Sequence, residues 1–95
     1  MYSVQQIKFD CLAYIKEFGA EPAEWNAGAC RDPKLWLNGD AVDAERDIWL
    51  WKPAVSPVAA RTVLRFLAER MGVRMTAADE PDGACVFLYR KRDGA

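Results

Sequence analysis

Two segments of this chain repeat apolar residues at the spacing of one helical face, and each is bounded by a serine before it and a glycine after it. In the first, Val4, Ile7, Cys11, Tyr14 and Phe18 form the stripe, with Leu12 and Ile15 beside them. Ser3 followed by Gln6 fits a capping box, in which each side chain satisfies a backbone N–H of the first turn. Gly19 stands where a left-handed residue closes a helix. In the second segment the stripe is Ala60, Val63, Leu64, Leu67 and Met71. Ser56-Pro57 supplies an N-cap and a proline at the first helical position, and Gly72 supplies the stop. Arg65 and Glu69 are four residues apart on the outer face, a spacing that predicts an ion pair. A helix with one apolar stripe needs a surface to bury it against.

That surface is predicted to be a sheet. Asp47–Lys52 alternates Ile48 and Leu50 against Trp49 and Trp51, and Pro53 ends it. Both sets are apolar, so either both faces are covered or the tryptophan face is an interface. Ala84–Lys91 alternates Val86 and Leu88 against Cys85, Phe87 and Tyr89. A strand over Trp25–Arg31 is weakly signalled, because Ala27, Gly28 and Ala29 have little to pack. Val73–Thr76 reads as a short edge strand. Glu21–Glu24 reads as a turn or a short helical turn, and Asp32-Pro33 opens a short helix that Asn38-Gly39 stops. Residues 40–46 and 77–83 read as loops. At 95 residues the chain is one domain, 1–95. The expected fold class is α+β, a small, mostly antiparallel sheet of three or four strands packed against two main helices. The expected order is α-β-α(short)-β-α-β.

The residue inventory narrows the chemistry. The chain contains no histidine, the commonest general base and metal ligand. Its two serines, Ser3 and Ser56, both read as helix caps. No glycine-rich phosphate loop follows a strand. The acidic residues Asp40, Asp43, Glu45 and Asp47 lack the spacing of a calcium loop and read as solvated. Cys11, Cys30 and Cys85 form no CxxC pair and read as reduced, buried thiols inside a cell. No cofactor and no metal site is expected, and an enzyme is not.

Two features point to surfaces instead. The chain has four tryptophans, a residue enriched at protein interfaces. Trp25 reads as core, while Trp36, Trp49 and Trp51 are candidate protein-interface residues. Residues 1–50 carry a net charge of −4 and residues 51–95 one of +3, an asymmetry that supports self-association or one basic face. Arg61, Arg65, Arg70, Arg74, Arg90, Lys91 and Arg92 are the candidate nucleic-acid contacts.

Several short pieces together resemble a small bacterial branch of the GIY-YIG nuclease-like superfamily. They are Trp25-Asn26-Ala27-Gly28, Asp32-Pro33-Lys34-Leu35-Trp36-Leu37, Ile48-Trp49-Leu50-Trp51-Lys52, Ser56 through Arg61, and Val86-Phe87-Leu88-Tyr89. The resemblance implies a tyrosine, an arginine and a metal-binding glutamate at positions that here read Asn26, Trp36 and Leu64. It therefore implies a catalytically dead version of that fold. The family's leading strand has no counterpart, and Ala84–Lys91 is expected to take its place beside Asn26–Arg31.

The function these readings favour is a non-catalytic interaction protein, an adaptor or inhibitor acting through a protein–protein surface, with itself or another protein as partner. The alternative is a nucleic-acid-binding remnant of a nuclease, and the remotest reading is a metal-dependent nuclease. No apolar run reaches the length of a membrane span and no signal peptide opens the chain. No membrane partner is expected, and the expected location is the cytoplasm.

Overall fold

The computed structural model describes residues 1–19, 21–39, 42–43 and 45–90. Helix α1 (Val4–Glu17) begins where Ser3 accepts a hydrogen bond from the Gln6 N–H, at 3.1 Å. Only half of the capping box forms, because the Gln6 side chain donates to Asp10 instead. Gly19 closes the helix with φ +65°, a backbone region that carries no penalty only for glycine. A single 3-10 turn, Pro22–Glu24, leads into strand β1 (Asn26–Cys30). Asp32 caps the five-residue helix α2 (Pro33–Leu37) by accepting from the Lys34 N–H. Strand β2 (Ile48–Pro53) precedes helix α3 (Pro57–Phe66), where Ser56 accepts from the Ala59 N–H.

Helix α3 runs on as a π-helical turn, Leu67–Met71, before Gly72 stops it. The ion pair open to Arg65 and Glu69 is not formed, although both side chains line one groove. Strand β3 (Arg74–Met75) follows, and then β4 (Cys85–Arg90).

The four strands lie in the order β2-β4-β1-β3. Strand β4 is antiparallel to both neighbours, with Gly28 opposite Phe87 and Trp51 opposite Phe87 on the other side. Strand β3 pairs parallel to β1 over two residues, Asn26 with Arg74 and Ala27 with Met75. The fold is thus α+β, and the sheet is mixed rather than purely antiparallel. The C-terminal strand lies beside Asn26–Cys30, in the middle of the sheet. The outer edge of β2 is partly closed: the Tyr2 N–H donates to the Pro53 carbonyl at 2.9 Å and the Tyr14 hydroxyl to the Trp49 carbonyl at 2.8 Å. Such contacts blunt an edge that would otherwise template another strand.

The sheet separates two apolar clusters. On one face α1 contributes Ile7, Cys11 and Ile15, and α3 with its π turn contributes Ala60, Val63, Leu64 and Leu67. These pack on Ala27, Ala29, Val86 and Leu88, with Ile48 and Leu50 at the margin. On the other face Trp36 and Val42 cover Cys30, Cys85, Phe87 and Tyr89, with Trp49 and Trp51 at the margin. Two long helices roof the first face, and one short helix and a loop roof the second.

Strand β1 is small-sided because its neighbours are large. The Trp36 and Phe87 rings stack with centroids 4.3 Å apart, and Phe87 lies directly over Gly28. A Cβ at Gly28 would meet Phe87 Cζ at 2.7 Å, and Asp79 Cβ and Thr76 Cγ2 at 3.1 Å. Phe87 cannot yield, since Trp36 lies on it. Gly28→Ala is therefore expected to cost about 1–3 kcal/mol through overpacking and to lower Tm by roughly 5–20 °C, read by thermal circular dichroism. An unchanged Tm would show that the ring moves freely.

Candidate functional site

A cleft of about 400 Å³ opens on the thinly roofed face. It lies between the end of β1, helix α2 and the 76–83 loop. Cys30 and Trp36 line it from the core, Leu35 and Gly39 from α2, and Arg31, Asp32 and Glu80 from the rim. Each group is placed by local structure. Asp32 and Pro33 turn the chain out of β1 into α2, and α2 then projects Trp36 inward and Leu35 outward. Trp36 is 7 % exposed and Leu35 72 %. The candidate interface residue Trp36 is thus buried, and its exposed neighbour Leu35 is the apolar contact that periodicity in so short a helix did not reveal. Trp49 and Trp51 are half-buried on the same face. Trp36 meets Trp49 edge-on at 6.5 Å.

Tryptophan on this face is under-satisfied. The Nε1–H groups of Trp36 and Trp51 are buried and make no hydrogen bond. Trp25, on the helix-covered side, shares this property. A buried donor without an acceptor costs about 1–3 kcal/mol.

The rim is charge-paired and acidic in balance. Arg31 donates to Glu80 at 2.8 Å and to both carboxylate oxygens of Asp82, at 2.8 and 2.9 Å. The Asp82 carboxyl is held below the ordinary carboxylate range mainly by this hydrogen bond. Asp43 and Asp47 are turn residues of the neighbouring loop: Asp43 accepts from the Glu45 and Arg46 N–H groups, and Asp47 from the Asp43 N–H. Asp40 lies outside the described residues. Among the described residues no group of three or more cysteine, aspartate and glutamate side chains gathers as a metal site.

Below the cleft floor Cys30 and Cys85 are direct cross-strand partners. They are free thiols, buried at 2 % and 5 % exposure, and their side chains share one cluster. Their mutual interaction eases the ionisation of one and opposes that of the other, while burial opposes both. Cys11 is different: fully buried beneath α1, its pKa is pushed up to about 12 by desolvation. The expectation of buried cysteines holds, but the pairing of two of them was not visible in spacing.

The candidate nucleic-acid contacts separate. Arg61 is committed to Asp79, donating to its two oxygens at 2.8 and 2.6 Å, and fastens α3 to the 76–83 loop rather than facing solvent as a free cation. Arg65 and Arg70 line a shallow groove with Lys8, Thr62, Phe66 and Glu69, where the Lys8 ammonium lies 4.6 Å from the Phe66 ring centroid. Arg74 is on the opposite edge of the sheet, in β3, and Arg90 ends β4. Lys91 and Arg92 lie outside the described residues. The positions Asn26, Trp36 and Leu64 do not form one site, since Trp36 and Leu64 belong to clusters on opposite faces of the sheet.

Comparison with family models, with curated proteins and with solved structures found no match. Among the described residues no helix is long and apolar enough to cross a membrane.

Proposed function

We propose that this chain is a non-catalytic interaction module that binds another protein, or a second copy of itself, over the aromatic face of its sheet. One observation carries the reading. The face roofed only by α2 and a loop leaves Trp49 and Trp51 half-buried, and it carries Leu35, 72 % exposed, at the wall of an open cleft. A docked polypeptide supplies what this surface lacks, an apolar side chain for the cleft and a cover for Leu35 and the half-buried Trp49 and Trp51. Tryptophans so placed are typical anchors of protein interfaces. The surrounding carboxylates Asp32, Asp43, Glu80 and Asp82 make the same face repel a polyanion, which weighs against base stacking on Trp49 and Trp51.

The test uses Leu35→Asp, a change at an exposed position that leaves the core untouched. Light scattering over a range of concentrations reads self-association, and retention of proteins from the source cell on immobilised chain reads other partners. A dimer or a retained protein that the wild type shows and Leu35→Asp loses by roughly tenfold or more supports the reading. A strict monomer whose retained proteins are the same with either chain overturns it.

A second reading rests on the groove of Lys8, Arg65 and Arg70, where three cations face one carboxylate, Glu69. This is the surface on which nucleic-acid phosphates would lie. Binding there should weaken steeply with salt and lose slope when Arg65 and Arg70 are replaced. A flat salt titration removes this reading.

A further inference from the structure

Backbone hydrogen bonds fix the kind of cross-strand pair that Cys30 and Cys85 make. The Trp25, Ala27 and Ala29 carbonyls accept from the Arg74, Thr76 and Glu80 N–H groups, and the Ala29 N–H donates to Asp79. The odd-numbered residues of β1 thus turn their backbone groups away from β4, and Asn26, Gly28 and Cys30 turn theirs toward it. Cys30 and Cys85 are therefore a hydrogen-bonded antiparallel pair. In such a pair the Cα atoms are about 5.5 Å apart, inside the range of about 4.4–6.8 Å that a disulfide bridges. The Cβ atoms, about 5.5 Å apart, must draw in to about 4.5 Å or less, which strains the bond and makes it readily reducible. Both side chains point to the aromatic face, where Cys30 and Cys85 share one cluster. Cys30 also lines the cleft, so a molecule as small as a peroxide has a route to it. Gly83 is pressed onto the Cys30 backbone, with an added Cβ 2.6 Å from its carbonyl carbon, and this holds the end of β1 in place.

We infer that Cys30 and Cys85 are a dithiol modification site that a peroxide reaching the cleft oxidises to a reversible cross-strand disulfide. The Cys30 sulfur attacks one peroxide oxygen and the O–O bond breaks. One water leaves with the thiol proton, and Cys30 becomes a sulfenic acid. The Cys85 sulfur then attacks the Cys30 sulfur and the S–O bond breaks. The Cys85 proton joins the departing hydroxide as a second water, and the S–S bond forms. Two electrons pass from the thiols to the peroxide. A low-molecular-weight dithiol reverses the step by thiol–disulfide exchange. Cys11 stays out of this chemistry, because it is fully buried under α1 in the other cluster.

The whole reduced chain is treated with hydrogen peroxide, and its intact mass and peptide map are read before and after dithiothreitol. The expected result is the loss of two hydrogens, one link between the peptides holding Cys30 and Cys85, and full reversal. Of the three thiols, one should remain open to alkylation in denaturant, and it should be Cys11. Cys85→Ser should leave the Cys30 sulfenic acid without its resolving thiol, so that a sulfenic-acid probe labels it. A link that joins two chains or involves Cys11 would overturn the inference. So would wild-type chain that gains oxygen at Cys30 without forming the link, or that keeps three thiols at peroxide levels oxidising a small free dithiol. These readouts on the wild type decide the matter even where a serine variant folds poorly.

Discussion

Trp25→Ala is expected to remove most of the stability of the fold. Trp25 is fully buried and is the largest side chain in the core with no solvent exposure. It sits where the 3-10 turn passes into β1, with the Tyr14 ring edge-on at 5.7 Å. Its carbonyl accepts from the Arg74 N–H at 3.0 Å, so it also holds the start of the short parallel pairing. Removing a buried tryptophan costs about 3–5 kcal/mol, the upper end where the site cannot collapse. A domain of this size has about 5–15 kcal/mol in all, and a chain with a modest core belongs near the bottom of that range. Urea denaturation followed by circular dichroism measures the loss. Its indole N–H makes no hydrogen bond, so Trp25→Phe should recover more than half of the stability. A cost for Trp25→Ala under about 1.5 kcal/mol would mean that the site refills and that the packing described here is wrong.

The second large effect is expected at Asp79. Its carboxylate accepts from the Ala29 N–H at 2.7 Å and from both ends of the Arg61 guanidinium. One side chain thereby joins the 76–83 loop, β1 and α3. Asp79→Ala strands the Arg61 charge and the Ala29 donor together. Breaking a fully buried pair costs about 3–5 kcal/mol. Here the two side chains keep 17 % and 31 % exposure, so water recovers part of that and about 2–3 kcal/mol is expected. The Arg61 hydrogen bond, aided by the Ala29 N–H, holds the Asp79 carboxyl below the ordinary carboxylate range. A carboxyl whose pKa is lower folded than unfolded stabilises the fold fully above its unfolded value, about 3.9. That contribution is lost as pH falls toward the folded value. Wild-type stability should therefore drop with pH below about 4. Asp79→Asn, which keeps one acceptor and cannot ionise, should show a shallower drop. Denaturation curves at several pH values between neutrality and strong acid test this. Equal slopes for the two chains would exclude Asp79 as a source of the acid loss.

Much of this fold could be read from residue order, for local reasons. Ser3, Gly19, Ser56 and Gly72 act within a few residues of themselves, and so do the alternations of β2 and β4. What escaped the reading acts across distance. Strand β1 looked poor because Ala-Gly-Ala has no side chains to pack, yet that is the shape that Phe87 and Trp36 require above it. Arg61 looked like a solvated cation of a helix face, since its partner stands eighteen residues later in a loop. The Cys30–Cys85 pair joins strands separated by most of the sequence, so no spacing rule finds it. The cleft needs α2 to fold back over the sheet, and five residues are too few to show which side chain turns outward. Leu35 and Trp36 are adjacent, and only packing decides between them.

The order of the strands has a kinetic meaning. Strands β1 and β2 do not pair with each other; each pairs with β4, the last of the four in chain order, which lies between them. A growing chain that has reached Gly83 holds two of its helical stripes and both flanking strands, but has no central strand for them to join. Until Cys85–Arg90 arrives, the apolar sides of β1 and β2 have only the helices to shelter against. Contacts of such long sequence separation slow folding and leave strand edges exposed meanwhile. The early serine-capped helices, which form locally, are then what shields an unfinished sheet from its neighbours in a crowded cell.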